Sequence, residues 1–200
     1  MNNSKEFLDF INQQGVIKSS DVAKKGFPRQ YIKRLYEKGL LLKLSRGVYI
    51  PANKPITENI SFAEVAKNSP NSVICLLSAL RFHNLTTQSP HQVWIAINHK
   101  SHPPKIDGLS LHVNYFSDKS LSLGVQEHII AGVNVKIFSP AKTVVDCFKF
   151  RNKIGLDVAI EALKDSLHQR KVTLVQLWHF AKYSRMQNVI RPYLEAISHG

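Results

Sequence analysis

The spacing of apolar positions over the first fifty residues predicts three short helices followed by a β-hairpin. Phe7, Leu8, Phe10 and Ile11 fall on one side of a helix over residues 6–14, and Gly15 supplies its stop. After Val16-Ile17-Lys18, Ser19 or Ser20 is placed to cap a second helix, with Asp21 in its first turn and Gly26 at its end. Pro28 suits the first turn of a third helix, where its missing N–H would have had no partner, and that helix runs over residues 28–38 to Gly39. On a wheel at 100° per residue, Pro28, Tyr31, Ile32, Leu35 and Tyr36 share one half, and Arg29, Gln30, Lys33, Arg34 and Glu37 cluster within about 140° on the other. Leu40, Leu42 and Leu44 then alternate, as do Val48 and Ile50, around the turn Ser45-Arg46-Gly47.

Helix, helix, basic helix and an Arg-Gly-tipped hairpin is the order of a winged helix-turn-helix. Its third helix would enter the major groove of duplex DNA, presenting Arg29, Gln30, Lys33 and Arg34 to bases and backbone. Lys43 and Arg46 on the hairpin would lie beside phosphates or the minor groove.

Residues 53–59 (NKPITEN) have the composition of a linker, so the expected division is a DNA-binding domain over residues 1–54 and a second domain over 55–200. In the second, Ser61 with Glu64 matches a capping box for a helix through Phe62 and Val65, and Ser72 is expected to open another through Ile74, Leu76 and Leu80. Residues 92–98 and 109–116 read as strands, and residues 126–130 and 133–138 as a hairpin around Ala131-Gly132. Helical patterns cover 140–150, 156–169, 172–184 and 189–198. The fold class is therefore α+β: a winged helix-turn-helix followed by a mixed α+β domain of about 145 residues ending in a helical bundle.

Charge sharpens this picture. The 200-residue chain carries 27 Lys and Arg against 14 Asp and Glu, a formal net of +13. Residues 1–54 hold a net +7, residues 55–139 a net +1 and residues 140–200 a net +5. A polyanion is the natural partner, since each cation placed at a phosphate releases condensed counterions. The first ten residues are polar and interrupted by Lys5, Glu6 and Asp9, unlike a secretory signal, and the apolar stretch around Val73 to Leu80 is too short to span a membrane. These features point to the cytoplasm, with Cys75 and Cys147 as reduced, buried thiols inside apolar helices.

Candidate chemistry is sparse. His99 and His102 sit in a Pro-rich loop without the Cys cluster or His-Glu-x-x-His spacing of a metal site, and no phosphate-binding or dinucleotide loop or nucleophile elbow occurs, so no cofactor or metal is expected. Asp157, Glu161 and Asp165 repeat every four residues, the pattern of a solvated helix stripe rather than a Mg²⁺ cluster. Lys142 and Asp146 have the spacing of an ion pair on one helix. Lys149, Arg151 and Lys153 form a basic patch suited to DNA, RNA or an acidic protein, or simply to the dipole of a helix end.

Three stretches, SRGVYIP, FAEVAKNSPNSVICLLSALRFHNLT and SPAKTVVDCFKFRNKIGLDVAIEAL, together resemble the AbiEi family of antitoxins and transcriptional regulators. That resemblance implies a non-enzymatic repressor from a bacterial type IV toxin–antitoxin operon of abortive infection, a form of phage defence. Its winged helix would bind inverted repeats in its own promoter, and its second domain would counter a nucleotidyltransferase-like toxin without necessarily forming a stable complex. The antitoxin region is placed at Lys142, Asp146, Lys149, Arg151 and Lys153. Two other readings remain open: a one-component regulator whose second domain senses a small ligand, and a nuclease delivered to DNA by the winged helix.

Overall fold

A computed structural model describes residues 3–198. The chain is a mixed α+β protein that resolves into two compact units, neither continuous in sequence. The first comprises the residues up to Ser72 together with His102–Ser110 and Glu127–Val135; the second comprises Val73–Ser101, Leu111–Gln126 and the residues from Lys136 onward.

The first unit runs α1 (Asn3–Gln14), β1 (Ile17–Lys18), α2 (Ser19–Lys24), α3 (Gln30–Glu37), β2 (Leu41–Ser45), β3 (Val48–Pro51) and α4 (Ile60–Asn68). The three strands form an antiparallel sheet in the order β1-β3-β2, with Ile17 opposite Tyr49 and Leu42 opposite Ile50. Phe7, Ile11, Ile17, Val22, Ile32 and Leu41 make the buried core. The ring of Phe7 stands 5.0 Å from that of Phe27 and 5.4 Å from that of Tyr31. Aromatic contact of this kind fixes how the turn before α3 sits on α1.

Local details depart from the sequence pattern for identifiable reasons. Lys18, rather than a serine, occupies the cap of α2, and its backbone N–H donates to Asp21 Oδ2 at 3.3 Å. α3 begins at Gln30 because Pro28 and Arg29 form a tighter entry turn, with Tyr31 N–H bonded to Pro28 O and Ile32 N–H to Arg29 O. The hairpin buries the other face of β2 from the one its leucines suggest: Leu41 is 1% exposed, whereas Leu40 and Leu42 are 49% and 40% exposed. An irregularity between Lys43 and Ser45 shifts the register and turns Ser45 inward. α4 starts at Ile60, so Ser61 lies inside it and Glu64 is buried instead of closing a capping box.

Also within the first unit, Ala131 and Gly132 meet the end of α1. Val16 N–H donates to Ala131 O at 2.9 Å, and a Cβ on Gly15 would fall 2.0 Å from that oxygen. Reciprocally, a Cβ on Gly132 would fall 2.0 Å from Gln14 O. Both glycines have positive φ, so side-chain bulk and conformation exclude other residues together.

The second unit's elements are β4 (Val73–Ile74), α5 (Leu76–Phe82), β5 (Val93–Asn98), β6 (Leu111–Phe116), α6 (Asp118–Ser122), β7 (Val125–Ile130), β8 (Val133–Phe138), α7 (Pro140–Lys149), α8 (Arg151–Ile154), α9 (Leu156–His168), α10 (Leu174–Ser184) and α11 (Gln187–Ser198). The five-stranded sheet has the order β6-β5-β4-β8-β7. β4 runs antiparallel to β5 and parallel to β8. Val73 and Ile74 therefore form a central strand and not the start of a helix at Ser72. Burial on every side removes the periodicity that separates strand from helix in sequence. Cys75, buried and free, caps α5 in extended conformation, while Cys147, also buried and free, lies within α7.

α7 is the hub of this unit and packs against α5, α9 and α10. Ser139 caps it by accepting from Lys142 N–H, Pro140 occupies its first turn, and every residue from Ala141 to Phe148 is buried. α6, not foreseen from the sequence, is capped by Ser117, whose hydroxyl accepts from Ser120 N–H.

Candidate nucleic-acid interface

The structure divides α3 as the helical wheel does. Ile32 is buried and Tyr31 and Leu35 half-buried against the core, while Gln30, Lys33, Arg34 and Glu37 are exposed. Arg29, in the turn that opens the helix, is exposed beside them, and Pro28 and Tyr36 are exposed as well. The apolar face of α3 is thus narrower than the wheel drew it. Lys43 on β2 and Arg46 in the β2–β3 turn are also exposed.

Each cation has a local setting. Lys33 Nζ lies 3.8 Å from Glu37 Oε1 in a solvent-exposed pair, whose attraction water screens to a fraction of a kcal/mol. Arg34 holds its guanidinium 5.9 Å from the Tyr31 ring centroid, which keeps it over α3. Asp21, another of the few acids here, is drawn away from this face: Lys67 on α4 binds its Oδ2 at 2.6 Å. Lys24, Lys25 and Lys38 are further exposed cations that the wheel of α3 alone does not collect. The Lys-Lys pair ending α2 was their visible signal.

The five residues assigned to an antitoxin region do not share a surface. Lys142 and Asp146 are fully buried and joined by an ion pair within α7. Lys149 and Lys153 are exposed, and Arg151 is half-buried with its guanidinium donating to Phe148 O at 2.8 Å. Desolvation raises the Asp146 carboxyl above the usual carboxylate range, a shift that Lys142 opposes. Burial likewise raises both cysteine thiols, which keeps them protonated.

Of the acidic stripe on α9, Glu161 is engaged in structure: it accepts Thr87 N–H and Thr87 Oγ1–H, each at 2.9 Å, and anchors the loop after α5. Among the described residues, no three His, Cys, Asp or Glu side chains gather in a way that could hold a metal ion. No described helix is long and apolar enough to cross a membrane.

Comparison with known proteins adds to this geometry. Residues 7–52 match the family model described as transcriptional regulator, AbiEi antitoxin. The match covers α1 through the hairpin and includes SRGVYIP; the two longer stretches of resemblance lie beyond it. No curated protein sequence matches the chain. Among solved structures, the fold is similar to that of the RV2827C protein from Mycobacterium tuberculosis, with a TM-score of 0.57 and 14% identity over 84% of this chain. The chain covers 66% of that protein's length, just under two thirds.

Proposed function

We propose that this chain is a cytoplasmic, non-enzymatic transcriptional repressor and antitoxin whose first fifty-odd residues act as a winged helix-turn-helix on duplex DNA. The observation that carries the reading is α3: its cationic side is open to solvent along its length while its other side is anchored in an aromatic core. The order α1-β1-α2-α3-β2-β3 supports the winged form, in which the second of two adjacent helices enters the major groove. Arg29, Gln30 and Arg34 have the planar forks that pair with guanine or adenine edges, and Lys33, Lys43 and Arg46 suit phosphates.

The AbiEi match supports the rest of the assignment. On this reading residues 1–54 bind inverted repeats in the protein's own promoter, and residues 55–200 counter a nucleotidyltransferase-like toxin of a type IV phage-defence operon. Lys149, Arg151 and Lys153 supply the exposed charge of that region, while Lys142 and Asp146 hold its core.

The test is binding to the promoter of the protein's own operon across a salt series. Reversing Arg29, Lys33 and Arg46 to Glu together removes the complex and lowers the salt slope by about three units, near one per lost phosphate contact. Unchanged affinity and slope would refute the DNA-contact assignment. Co-expression with the neighbouring toxin gene tests the antitoxin half: residues 55–200 should rescue growth in the presence of the toxin.

A further inference from the structure

We propose that α10 carries a second polyanion site, one that takes single-stranded nucleic acid. Between Asp165 and Glu195 the sequence has no carboxylate, yet it holds Arg170, Lys171, Lys182, Arg185 and Arg191. α10 lies within this stretch. It buries Leu177 and Ala181 and turns Val175, His179, Lys182 and Tyr183 to solvent, with Trp178 half-buried beside them. At 100° per residue those five fall within about 140° of one another. Val175 is 78% exposed, far more than an aliphatic side chain placed only for packing. Lys119 Nζ stands 5.6 Å from the Tyr183 ring centroid and adds a cation to the same face. The nearest acids in sequence are occupied: Asp118 accepts Asn98 Nδ2–H, and Glu195 holds Arg191 at 3.0 Å.

Rings interleaved with cations, without carboxylates, suit a strand whose phosphates pair with the cations while its bases stack on the rings. Duplex DNA keeps its base faces stacked inside and offers these rings nothing. A protein partner fits less well. Lys182 sits at the centre of the arc, between Trp178 and Val175, and interface cores are depleted of lysine because burying the ammonium is costly. A phosphate would pair with it instead.

The experiment uses the full chain carrying Glu at 29, 33 and 46, which separates this site from the one on α3. Fluorescein-labelled 20-mers of oligo-U RNA and oligo-dT DNA are titrated at low salt by anisotropy, alongside tryptophan emission. Trp94 is 8% exposed and stacked on His112, so quenching reports Trp178. We expect binding with quenching, and a loss of at least about tenfold, with a salt slope lower by about 1.4, in Lys182→Glu/Arg185→Glu. Trp178→Phe should bind with the quench abolished, its fold checked by circular dichroism. Stronger binding of the RNA assigns the site to RNA through its 2′-hydroxyls, and equal binding assigns it to either strand. Binding of neither oligomer, or equal binding by the charge-reversed variant, overturns the proposal.

Discussion

Lys142 donates to Asp146 across one turn of α7, and both side chains are wholly shielded from water. The ammonium also lies 4.5 Å from the Phe138 ring centroid and 5.1 Å from that of Phe116, so aromatic faces supply part of its solvation. Asp146 Oδ1 has no hydrogen-bond partner among the described residues. Removing one member strands the other as an uncompensated buried charge, whereas removing both leaves an apolar site of similar shape. Lys142→Met and Asp146→Leu should each cost about 3–5 kcal/mol in urea unfolding, and the double variant markedly less than their sum. Additive losses would show that the pair is not coupled.

The same pair marks the limit of what the sequence makes legible. An interval of four on a helix foretells an ion pair, but burial depends on what packs around the helix. Ala141, Val144, Val145 and Phe148 are ordinary helix residues until β4, β8 and the neighbouring helices enclose them. α3 was legible because one of its sides faces water, which preserves the 3.6-residue period. Val73 and Ile74 were not, because a strand enclosed on both faces keeps no period. The cationic candidates of α3 and the hairpin could be read individually, while the aromatic and basic face of α10 needed the helix to be placed before its exposed side was defined.

The hairpin offers a sharper case. Three alternating leucines, Leu40, Leu42 and Leu44, outweigh the single Leu41 in pattern, yet Leu41 joins the core with Ile32 and Val22. One extra residue near Lys43 exchanges the two faces. Leu41→Ala should therefore cost about 2–5 kcal/mol, and Leu42→Ser about 0.5 kcal/mol or less, measured by denaturant midpoint at constant m. Equal costs would restore the simple alternation.

Gly15 and Gly132 test a different constraint. Each lies against the other's neighbouring carbonyl, with no room for a methyl group and with a backbone that L-residues avoid. Gly26 shares the positive φ but has open space around its missing Cβ. Gly26→Ala should cost only the conformational penalty of about 1 kcal/mol. Gly15→Ala and Gly132→Ala should each cost clearly more, because the backbones must separate. Thermal melts of the three variants rank them, and a Gly26 variant as damaged as the others would remove the steric part of the explanation.

His112 supplies the pH dependence. Its ring stacks on Trp94 with centroids 3.7 Å apart, and partial burial, followed by the charge of Lys153, lowers its pKa below the ordinary 6.5. Between the lowered folded value and 6.5, the unfolded chain holds a proton on this ring that the folded chain does not. Stability from this residue is thus fully present above pH 6.5 and declines as pH falls toward the folded pKa, below which the loss is constant. His112→Gln should flatten that limb of the stability curve without moving the neutral plateau's slope. NMR titration should find the His112 ring resonances changing at a pH below that of an exposed histidine such as His102. A His112 midpoint at or above 6.5 would reverse the sign of the linkage and contradict the burial that the stacked geometry imposes.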